Sequence, residues 1–453
     1  MCKIKINAFI PLKVYFCASR NSKLLSKINI TNISGLQFFQ LLRFGTLLLI
    51  SIVFTKTTVG TEAIGNYEYF LFVAALACSF WINGIIQSFL PLFRNNKSFE
   101  NKNEKSPEFF NVFVLISLLS VGVVLVLAAF HLLYSDLPYF SLLLLYILVS
   151  SPAFLVEYVY LLKNKVTWII GYGIITFAVQ FVIVAGPAFL GWGMRYSIMG
   201  LVVISAIRYI WLLTLLKKYA RFSLSFAFLK EHISLATPLV VSSLMGASAQ
   251  YVDGFLVLNK YDTATFAVFR YGAKEFPLVV LMANAMSTAL IPEFSSIEKI
   301  KESLKILRDK TKRLAHFLFP ITIVFIVFSQ WLYPRVFNPD FADSAIIFNI
   351  YLLLIISRLV FPHTLLIGLK KTKVVMYASL AELLVNIVLS VLFIRYWGIE
   401  GVAIATVIAF GVQKIIWVIY NKMVLNIAPR EYIPIPLWGI YSLLTLLAFI
   451  IVY

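Results

Sequence analysis

The stretch from Ile233 to Phe294 consists of two long apolar segments joined by a short polar turn, yet it contains several ionisable residues. Asp253 lies near the end of the first segment, and Arg270, Lys274 and Glu275 interrupt the second. An ionisable side chain inside a membrane costs several kcal/mol unless it faces a partner or water. Each of these residues is therefore a candidate for function.

Three basic residues at middle depth are suited to bind the oxygen atoms of a phosphate group. Arg270 and Lys274 are four residues apart and would share one face of a continuous helix. Arg43 lies within the first apolar segment. Arginine can hold phosphate oxygens through two parallel hydrogen bonds, and lysine acts as a point charge. We predict a cationic cavity lined by these three side chains.

A structural role is the alternative for the charges between Ile233 and Phe294. Asp253, Arg270, Lys274 and Glu275 sum to zero formal charge, so they could form a neutral network that joins two neighbouring helices. Arg43 has no acidic neighbour within its own apolar segment, which favours the cavity for this residue.

Two pairs of polar residues have the spacing of neighbours on a helix. Glu382 and Asn386 are four residues apart in a later apolar segment, and Asn83 and Gln87 are four apart in the second. A buried Glu382 or Asp253 could carry a coupling proton or sodium ion. Asn83 and Gln87 could contact sugar hydroxyls. Hydrogen bonds between helices are the alternative for all of them.

The composition of the chain is that of a polytopic membrane protein, and the segments that hold these residues are predicted to be its membrane-spanning helices. Hydrophobic residues make up 61% of the 453 residues, charged residues 13%, and the mean hydropathy is +0.91. The net charge of +19 is explained by basic loops near lipid, so no nucleic-acid partner is predicted. The scattered cysteine and histidine residues indicate neither a disulfide framework nor a metal site, and no cofactor is expected.

Apolar runs of the length needed to cross a bilayer, about 20 residues, occur thirteen times after a basic leader, 1–34. The leader has the character of a cytoplasmic or interfacial segment. The predicted spans are 35–59, 70–93, 109–133, 137–162, 166–190, 196–216, 233–258, 264–291, 314–333, 345–369, 374–394, 398–418 and 434–453.

Basic residues concentrate in alternate connections, which predicts a cytoplasmic N-terminus. Lys414 lies near the predicted inner end of its span, where a lysine can extend its ammonium group to lipid headgroups. Glu157, also near an inner end, is expected to pair with the region of Lys163 and Lys165.

Similar turn signals recur in the same order in the two parts of the chain. LKNKV and KKTKV end the fourth and tenth spans, Pro152 and Pro362 precede them, and GWGM and WGIEG mark later turns. The fold class is therefore an all-α polytopic membrane protein with two six-helix bundles, related by a pseudo-two-fold axis along the membrane normal. The predicted divisions are an N-terminal half, 35–217, a cytoplasmic linker, 218–232, a C-terminal half, 233–424, and an additional helix, 425–453.

Several stretches carry a family resemblance: ATPLVVSSL and YVDGFLVL in the seventh span, LIPEFS after the eighth, and WGIEGVAIATVIA at the twelfth. With the two halves, they resemble the polysaccharide transporters of the multidrug/oligosaccharidyl-lipid/polysaccharide flippase superfamily, from Gly35 to about Val424. The resemblance implies a flippase in the bacterial inner membrane. Its substrate would be an undecaprenyl-diphosphate-linked oligosaccharide of O-antigen, capsule or exopolysaccharide, and polysaccharide polymerase machinery would be a partner. Members often have fourteen spans, one more than are predicted here.

Other functions of membrane proteins fit less well. A cation-coupled drug exporter of the same superfamily would prefer acidic cavity residues, whereas a lipid II flippase would share a cationic cavity. A membrane glycan polymerase, ligase or glycosyltransferase tends to need a sizeable outer loop or domain with catalytic residues. Here the predicted outer connections are short and no catalytic arrangement is recognisable, so we expect a transporter and not an enzyme.

Overall fold

The computed structural model describes residues 32–95, 105–134, 137–274, 276–294, 300–369 and 371–453. Residues 1–31 of the predicted leader and Glu275 lie outside these ranges. The described chain is helical, with one isolated bridge between Ser106 and Ala220. The helices are α1 (Asn32–Thr55), α2 (Thr61–Asn95), α3 (Pro107–Tyr134), α4 (Phe140–Ala153), α5 (Leu155–Leu162), α6 (Val166–Phe189), α7 (Met194–Tyr219), α8 (Phe226–Lys260), α9 (Thr263–Gly272), α10 (Pro277–Leu290), α11 (Ile300–Val336), α12 (Ser344–Leu352), α13 (Leu354–Arg358), α14 (Pro362–Gly368), α15 (Thr372–Met423), α16 (Pro429–Tyr432) and α17 (Ile435–Val452).

The number of long helices differs from the thirteen predicted spans. Among the described residues, 10 helices are long and apolar enough to cross a membrane, or up to 11 if the bent pair within α8 counts as one span. The remaining difference arises at two places. The helix α15 combines the eleventh and twelfth predicted spans, and the eighth predicted span is broken into α9 and α10.

The long helix α15 is a hairpin of two antiparallel arms, 372–397 and 399–423. Gly398 joins them with φ 59° and ψ −139°, a backbone conformation that favours glycine. Asn386 donates to Thr406 at 3.0 Å, and Gln413 donates to Ser379 at 3.0 Å, so the arms pack side by side. The turn predicted at WGIEG is therefore present, and it joins two regular helical arms.

The eighth predicted span is not one continuous helix. The helix α9 ends at Gly272 and α10 begins at Pro277. Between them, Phe276 has an extended backbone with ψ 109°. Proline lacks a backbone N–H and disfavours helical geometry at the preceding residue, which explains the break. Lys274 consequently lies in the break, so the prediction that it shares a helix face with Arg270 was wrong.

The predicted cytoplasmic linker, 218–232, is also mostly helical. The helix α7 continues to Tyr219, and α8 begins at Phe226, seven residues before the predicted span. Ser225 is the N-cap, and its side chain accepts a hydrogen bond from the Phe228 N–H at 3.3 Å. A serine in this position satisfies one free N–H of the first turn and favours an early helix start.

The N-terminal helices contact the C-terminal ones mainly through α2, which packs against α8 and α9. Two glycines allow this close approach. A Cβ atom at Gly65 would lie 1.8 Å from the Thr263 carbonyl oxygen, and one at Gly84 would lie 2.6 Å from the Val240 backbone nitrogen. The surface between α2 and the pair α8 and α9 is therefore where the two parts of the chain meet.

Candidate functional site

Two of the predicted basic residues meet a single carboxylate where α2 packs against α9. Arg270 Nε lies 3.7 Å from Glu68 Oε2, and Lys274 Nζ lies 3.7 Å from Glu68 Oε1. The Glu68 side chain is 5% exposed, whereas those of Arg270 and Lys274 are 30% and 28% exposed. We call these three residues the interface cluster. It carries one net positive charge, and its cations reach open space while its anion is buried.

The surroundings of the interface cluster hold its cations without neutralising them. Lys274 Nζ donates to Ser51 Oγ of α1 at 3.1 Å and lies 4.4 Å from the centre of the Tyr271 ring. Arg270 lies 6.0 Å from the Phe72 ring centre, and its Nε is buried with no hydrogen-bond partner among the described residues. A charged donor of this kind can form a strong hydrogen bond to an anionic oxygen.

Glu68 was missed in the sequence. The second span was predicted to begin at Phe70, which placed Glu68 outside the membrane, but α2 begins at Thr61. Seven residues into a helix correspond to about 10 Å at the usual rise per residue. Extending the helix upstream would have placed a carboxylate at the depth of the basic residues.

The third predicted cavity cation, Arg43, forms a closed ion pair. Its Nη2 donates to Glu157 Oε2 at 2.9 Å and to Oε1 at 3.3 Å, and its Nη1 donates to Gln40 at 3.4 Å. Its guanidinium also lies 5.1 Å and 5.2 Å from the ring centres of Phe39 and Phe154. The structure therefore separates Arg43 from the interface cluster, and Glu157 pairs with Arg43, not with the expected lysines.

Asp253 belongs to neither set of charges. Its carboxylate accepts hydrogen bonds from Thr406 Oγ1 at 2.5 Å, Tyr351 Oη at 3.1 Å and Asn386 Nδ2 at 3.3 Å. Ser390 Oγ lies 3.5 Å away, and Asp253 is 1% exposed. The predicted network of Asp253 with Arg270 and Lys274 was wrong, because Asp253 faces α12 and both arms of α15. Glu275, its other predicted member, lies outside the described residues.

The remaining predicted polar residues separate into two environments. Asn83 and Gln87 are exposed on α2, the helix that also carries Glu68. Contact between lipid and an exposed amide in the middle of a span costs free energy, so contact with water is more favourable for these two side chains. Glu382 is buried and accepts a hydrogen bond from Gln413 on the other arm of α15, whereas Asn386 joins Asp253. The two residues share a helix face but serve different clusters. In the described chain no group of three or more histidine, cysteine or acidic residues could hold a metal ion.

Comparison with known protein families gives one match. Residues 101–346, more than half of the chain, match the sequence model of a family described as polysaccharide biosynthesis protein. A search of the curated proteins finds no match.

Solved structures with the same fold are transporters and flippases. The lipid II flippase MurJ, in an inward closed conformation, shares 19% identity with a TM-score of 0.63, covering 92% of this chain and 98% of MurJ. An inward-facing multidrug resistance MATE family transporter of the MOP superfamily shares 14% identity with a TM-score of 0.60, covering 87% of this chain and 98% of that one.

A third structure is a MOP superfamily transporter from Pyrococcus furiosus, with 14% identity and a TM-score of 0.54, covering 87% of this chain and 94% of that chain. Identities this low establish a shared fold. The fold confirms the prediction of an all-helical, multi-pass membrane protein.

Proposed function

This chain belongs to the family of polysaccharide biosynthesis proteins, and on that premise we propose that it is a flippase for undecaprenyl-diphosphate-linked oligosaccharide. The oligosaccharide would be a repeat unit of O-antigen, capsule or exopolysaccharide. It would move from the cytoplasmic to the outer leaflet of a bacterial inner membrane, with the N-terminus of the chain in the cytoplasm. A polysaccharide polymerase would use the translocated unit.

The observation that carries the proposal is the excess of positive charge in the interface cluster. Arg270 and Lys274 share the single carboxylate of Glu68, and both contacts are 3.7 Å long. A diphosphate-linked sugar carries negative charge and many hydroxyl groups, so it cannot cross hydrocarbon unaided. Two partly exposed cations supply a cationic surface for such a headgroup, and the exposed amides of Asn83 and Gln87 lie farther along the same helix, α2.

The position of the cluster supports transport by alternating access. Glu68 and Ser51 belong to the N-terminal helices, whereas Arg270 and Lys274 belong to the C-terminal ones. Rocking of the two sides would lengthen these weak contacts, and the substrate diphosphate would replace Glu68 as the partner of the cations. A conformational equilibrium responds to a substrate only through such differential contacts. The polyprenyl tail would remain in lipid.

The test is a lipid analysis of a strain that lacks the gene. We expect complete oligosaccharide units on undecaprenyl diphosphate to accumulate on the cytoplasmic leaflet while surface polysaccharide disappears. The trapped lipid would identify the glycan. Accumulation of lipid II instead would assign the protein to peptidoglycan synthesis, and units that reach the outer leaflet without being polymerised would refute a role in transport.

A coupling ion would bind at Asp253. Its carboxylate has no ion-pair partner within the described residues, and it is surrounded by hydroxyl and amide groups from three helical segments. The Asn386 side-chain oxygen is buried without a hydrogen-bond partner among the described residues, which adds a further oxygen. One carboxylate and neutral oxygens suit a proton or a sodium ion.

Translocation in proteoliposomes with an imposed sodium or pH gradient tests this coupling. Asp253→Asn keeps the size of the side chain and should make the rate independent of the gradient. A rate that keeps its dependence in this variant would remove Asp253 from the coupling mechanism, whereas the assignment of the interface cluster would stand.

A further inference from the structure

A polar cavity of about 190 Å³ lies within the C-terminal helices, apart from the interface cluster. Its walls come from α10, α13, α14 and both arms of α15, and they include Arg358, His363, Glu382, Lys414 and Trp417. None of the interface-cluster residues and none of the hydrogen-bond partners of Asp253 lines it. The cavity is therefore a separate feature that neither the proposed translocation nor the proposed coupling uses.

Lys414 is the basic residue that makes this cavity unusual. It is 8% exposed, so the expectation that it reaches lipid headgroups was wrong. Its ammonium group lies 5.0 Å from the Trp417 ring centre, and within the described part of the chain it has no hydrogen bond or ion pair. A buried ammonium group without a hydrogen-bonded anion is unfavourable. An anion in the cavity would supply that partner.

Neutral donors reinforce the charge of Lys414. The indole N–H of Trp417, which is 5% exposed, is buried and has no hydrogen-bond partner in the part of the chain that the structure describes. The His363 ring lies 5.3 Å from the Trp417 ring between centres. Its Nε2 bonds to Ser287 Oγ at 3.0 Å, and its Nδ1 is buried without a partner among the described residues. Tryptophan can only donate, so its free N–H requires an acceptor.

The acidic residue of the cavity does not cancel its positive charge. Glu382 accepts from Gln413, which fixes the carboxylate against the opposite arm of α15. The formal charges of Arg358, Lys414 and Glu382 sum to one net positive charge. Arg358 lies over the Phe410 ring at 4.4 Å, which orients its guanidinium group beside the cavity.

We propose that this cavity binds a small oxyanion of the phosphate class. Arginine, lysine and an indole N–H together present charged and neutral donors from several directions, which suits an anion with several equivalent oxygens. A volume of about 190 Å³ holds a phosphate group with accompanying water. The phosphate can be inorganic phosphate or the headgroup phosphate of a lipid.

The test follows the thermal unfolding of the full-length protein in phosphatidylcholine nanodiscs during titration with potassium phosphate. Potassium chloride of equal ionic strength is the reference. Phosphate should raise the unfolding midpoint and chloride should not, because an anion that binds only the folded state stabilises it in proportion to its occupancy. The double variant Arg270→Ala/Lys274→Ala should keep this response, which separates the cavity from the interface cluster.

Two variants locate the binding. Lys414→Met should weaken the apparent phosphate affinity at least tenfold, on the order expected for loss of a charged hydrogen bond. Trp417→Phe removes the indole N–H but keeps an aromatic ring, and it should weaken the affinity about fivefold. Lys422→Met, at the exposed end of the same arm, is the matched control and should bind as the unmodified protein does.

Native mass spectrometry with added phosphatidylglycerol distinguishes the sources of phosphate. Retention of this lipid by the unmodified protein but not by Lys414→Met assigns the phosphate to a lipid headgroup, and equal retention assigns it to free phosphate. The proposal is overturned if phosphate stabilises no more than chloride, or if Lys414→Met and Trp417→Phe both bind phosphate as well as Lys422→Met does.

Discussion

This protein contains two ion clusters of similar residue types, and the surroundings of the two clusters differ. In the N-terminal cluster, Arg43 and Glu157 form a two-point ion pair with contacts of 2.9 and 3.3 Å. In the interface cluster, Arg270 and Lys274 share Glu68 at 3.7 Å each. Both clusters combine a buried carboxylate with partly exposed cations. They differ in charge balance and in the fit of their partners.

The difference favours a structural role for Arg43 and agrees with the binding role that we propose for Arg270 and Lys274. The pair of Arg43 with Glu157 satisfies both charges within one bundle, so it offers little to a substrate. Within the described residues, the interface cluster leaves one cation without its own anion, and the Arg270 Nε has no hydrogen-bond partner. Its contacts also join helices from the two sides of the molecule. Excess charge and a position between the two sides of the molecule are what the proposed binding site for an anionic headgroup needs.

The largest expected effect is the loss of translocation when the cations of the interface cluster are substituted. Arg270→Ala and Lys274→Ala, separately or together, should lower the rate in proteoliposomes at least a hundredfold, which corresponds to about 2.7 kcal/mol of transition-state stabilisation. Adding Glu68→Gln to the double variant avoids a stranded buried carboxylate and should restore stability but not transport. Lys312→Ala, in an exposed pair with Asp309, is the matched control. Normal export by both single variants would refute the role of the cluster.

The N-terminal pair should affect stability. Arg43→Met alone leaves Glu157 buried without its partner and should lower the free energy of unfolding by about 3 kcal/mol. The double variant Arg43→Met/Glu157→Leu should recover most of that loss and still translocate, since the pair would be replaced by apolar packing. Thermal unfolding and translocation are measured on the same samples. A stable double variant that does not transport would place Arg43 back in the cavity.

The clusters differ in a third way. The interface cluster lies where the two sides of the molecule approach closely, and the pair of Arg43 with Glu157 does not. Gly84→Ala would bring a Cβ atom to 2.6 Å from the Val240 backbone nitrogen, so α2 and α8 would have to move apart. We expect a loss of about 1 to 3 kcal/mol and weaker contacts in the interface cluster, but an unchanged pair of Arg43 with Glu157. Thermal unfolding checks the loss. Gly122→Ala, where nothing lies within 4 Å of the added atom, is the control and should be neutral or slightly stabilising. Equal effects of the two substitutions would contradict the tight packing.

The smallest effect concerns the cap of α9, the helix that carries Arg270. The Asp262 side chain accepts from the Thr265 backbone N–H at 2.8 Å. Hydrogen bonds from the side chain and the backbone of Thr265 lower the pKa of the Asp262 carboxyl below its ordinary value. Asp262→Ala should therefore lower the free energy of unfolding by about 1 kcal/mol at neutral pH.

The pH dependence of this cap follows from the lowered pKa. The stabilising contribution is present above the pKa of the unfolded state and is lost as the pH falls through the lower pKa of the folded state. The difference between Asp262→Ala and the unmodified protein should accordingly shrink in acid, as followed by thermal unfolding. Asp343→Ala, at an N-cap without a side-chain hydrogen bond, should show no such trend. A difference that stays constant with pH would show that the carboxylate does not cap α9.

Local sequence patterns were sufficient to predict much of the fold. The hydrophobic runs located the membrane-crossing segments, and WGIEG marked the turn that Gly398 makes between the arms of α15. The break at Pro277 could have been found from the same rules, because proline at this position ends a helix. Counting α9 and α10 as one helix placed Lys274 on a face that does not exist.

The partners of the charged residues could not be found by spacing. Arg43 meets Glu157 at a separation of 114 residues, and Lys414 turns into a cavity although its place in the helix suits contact with lipid headgroups. Spacing of three or four residues identifies neighbours on one helix, but it carries no information about which helix packs against which.

The sequence by itself determined that this is a multi-pass helical membrane protein of a family of polysaccharide biosynthesis proteins, with basic residues inside apolar segments. Those properties follow from composition and local pattern, which act along the chain. Only the tertiary structure decided that Arg43 is neutralised, that Arg270 and Lys274 share Glu68, and that Asp253 stands apart from them. The energy of a buried charge depends on the groups within a few ångströms of it, and distant segments of the chain supply those groups.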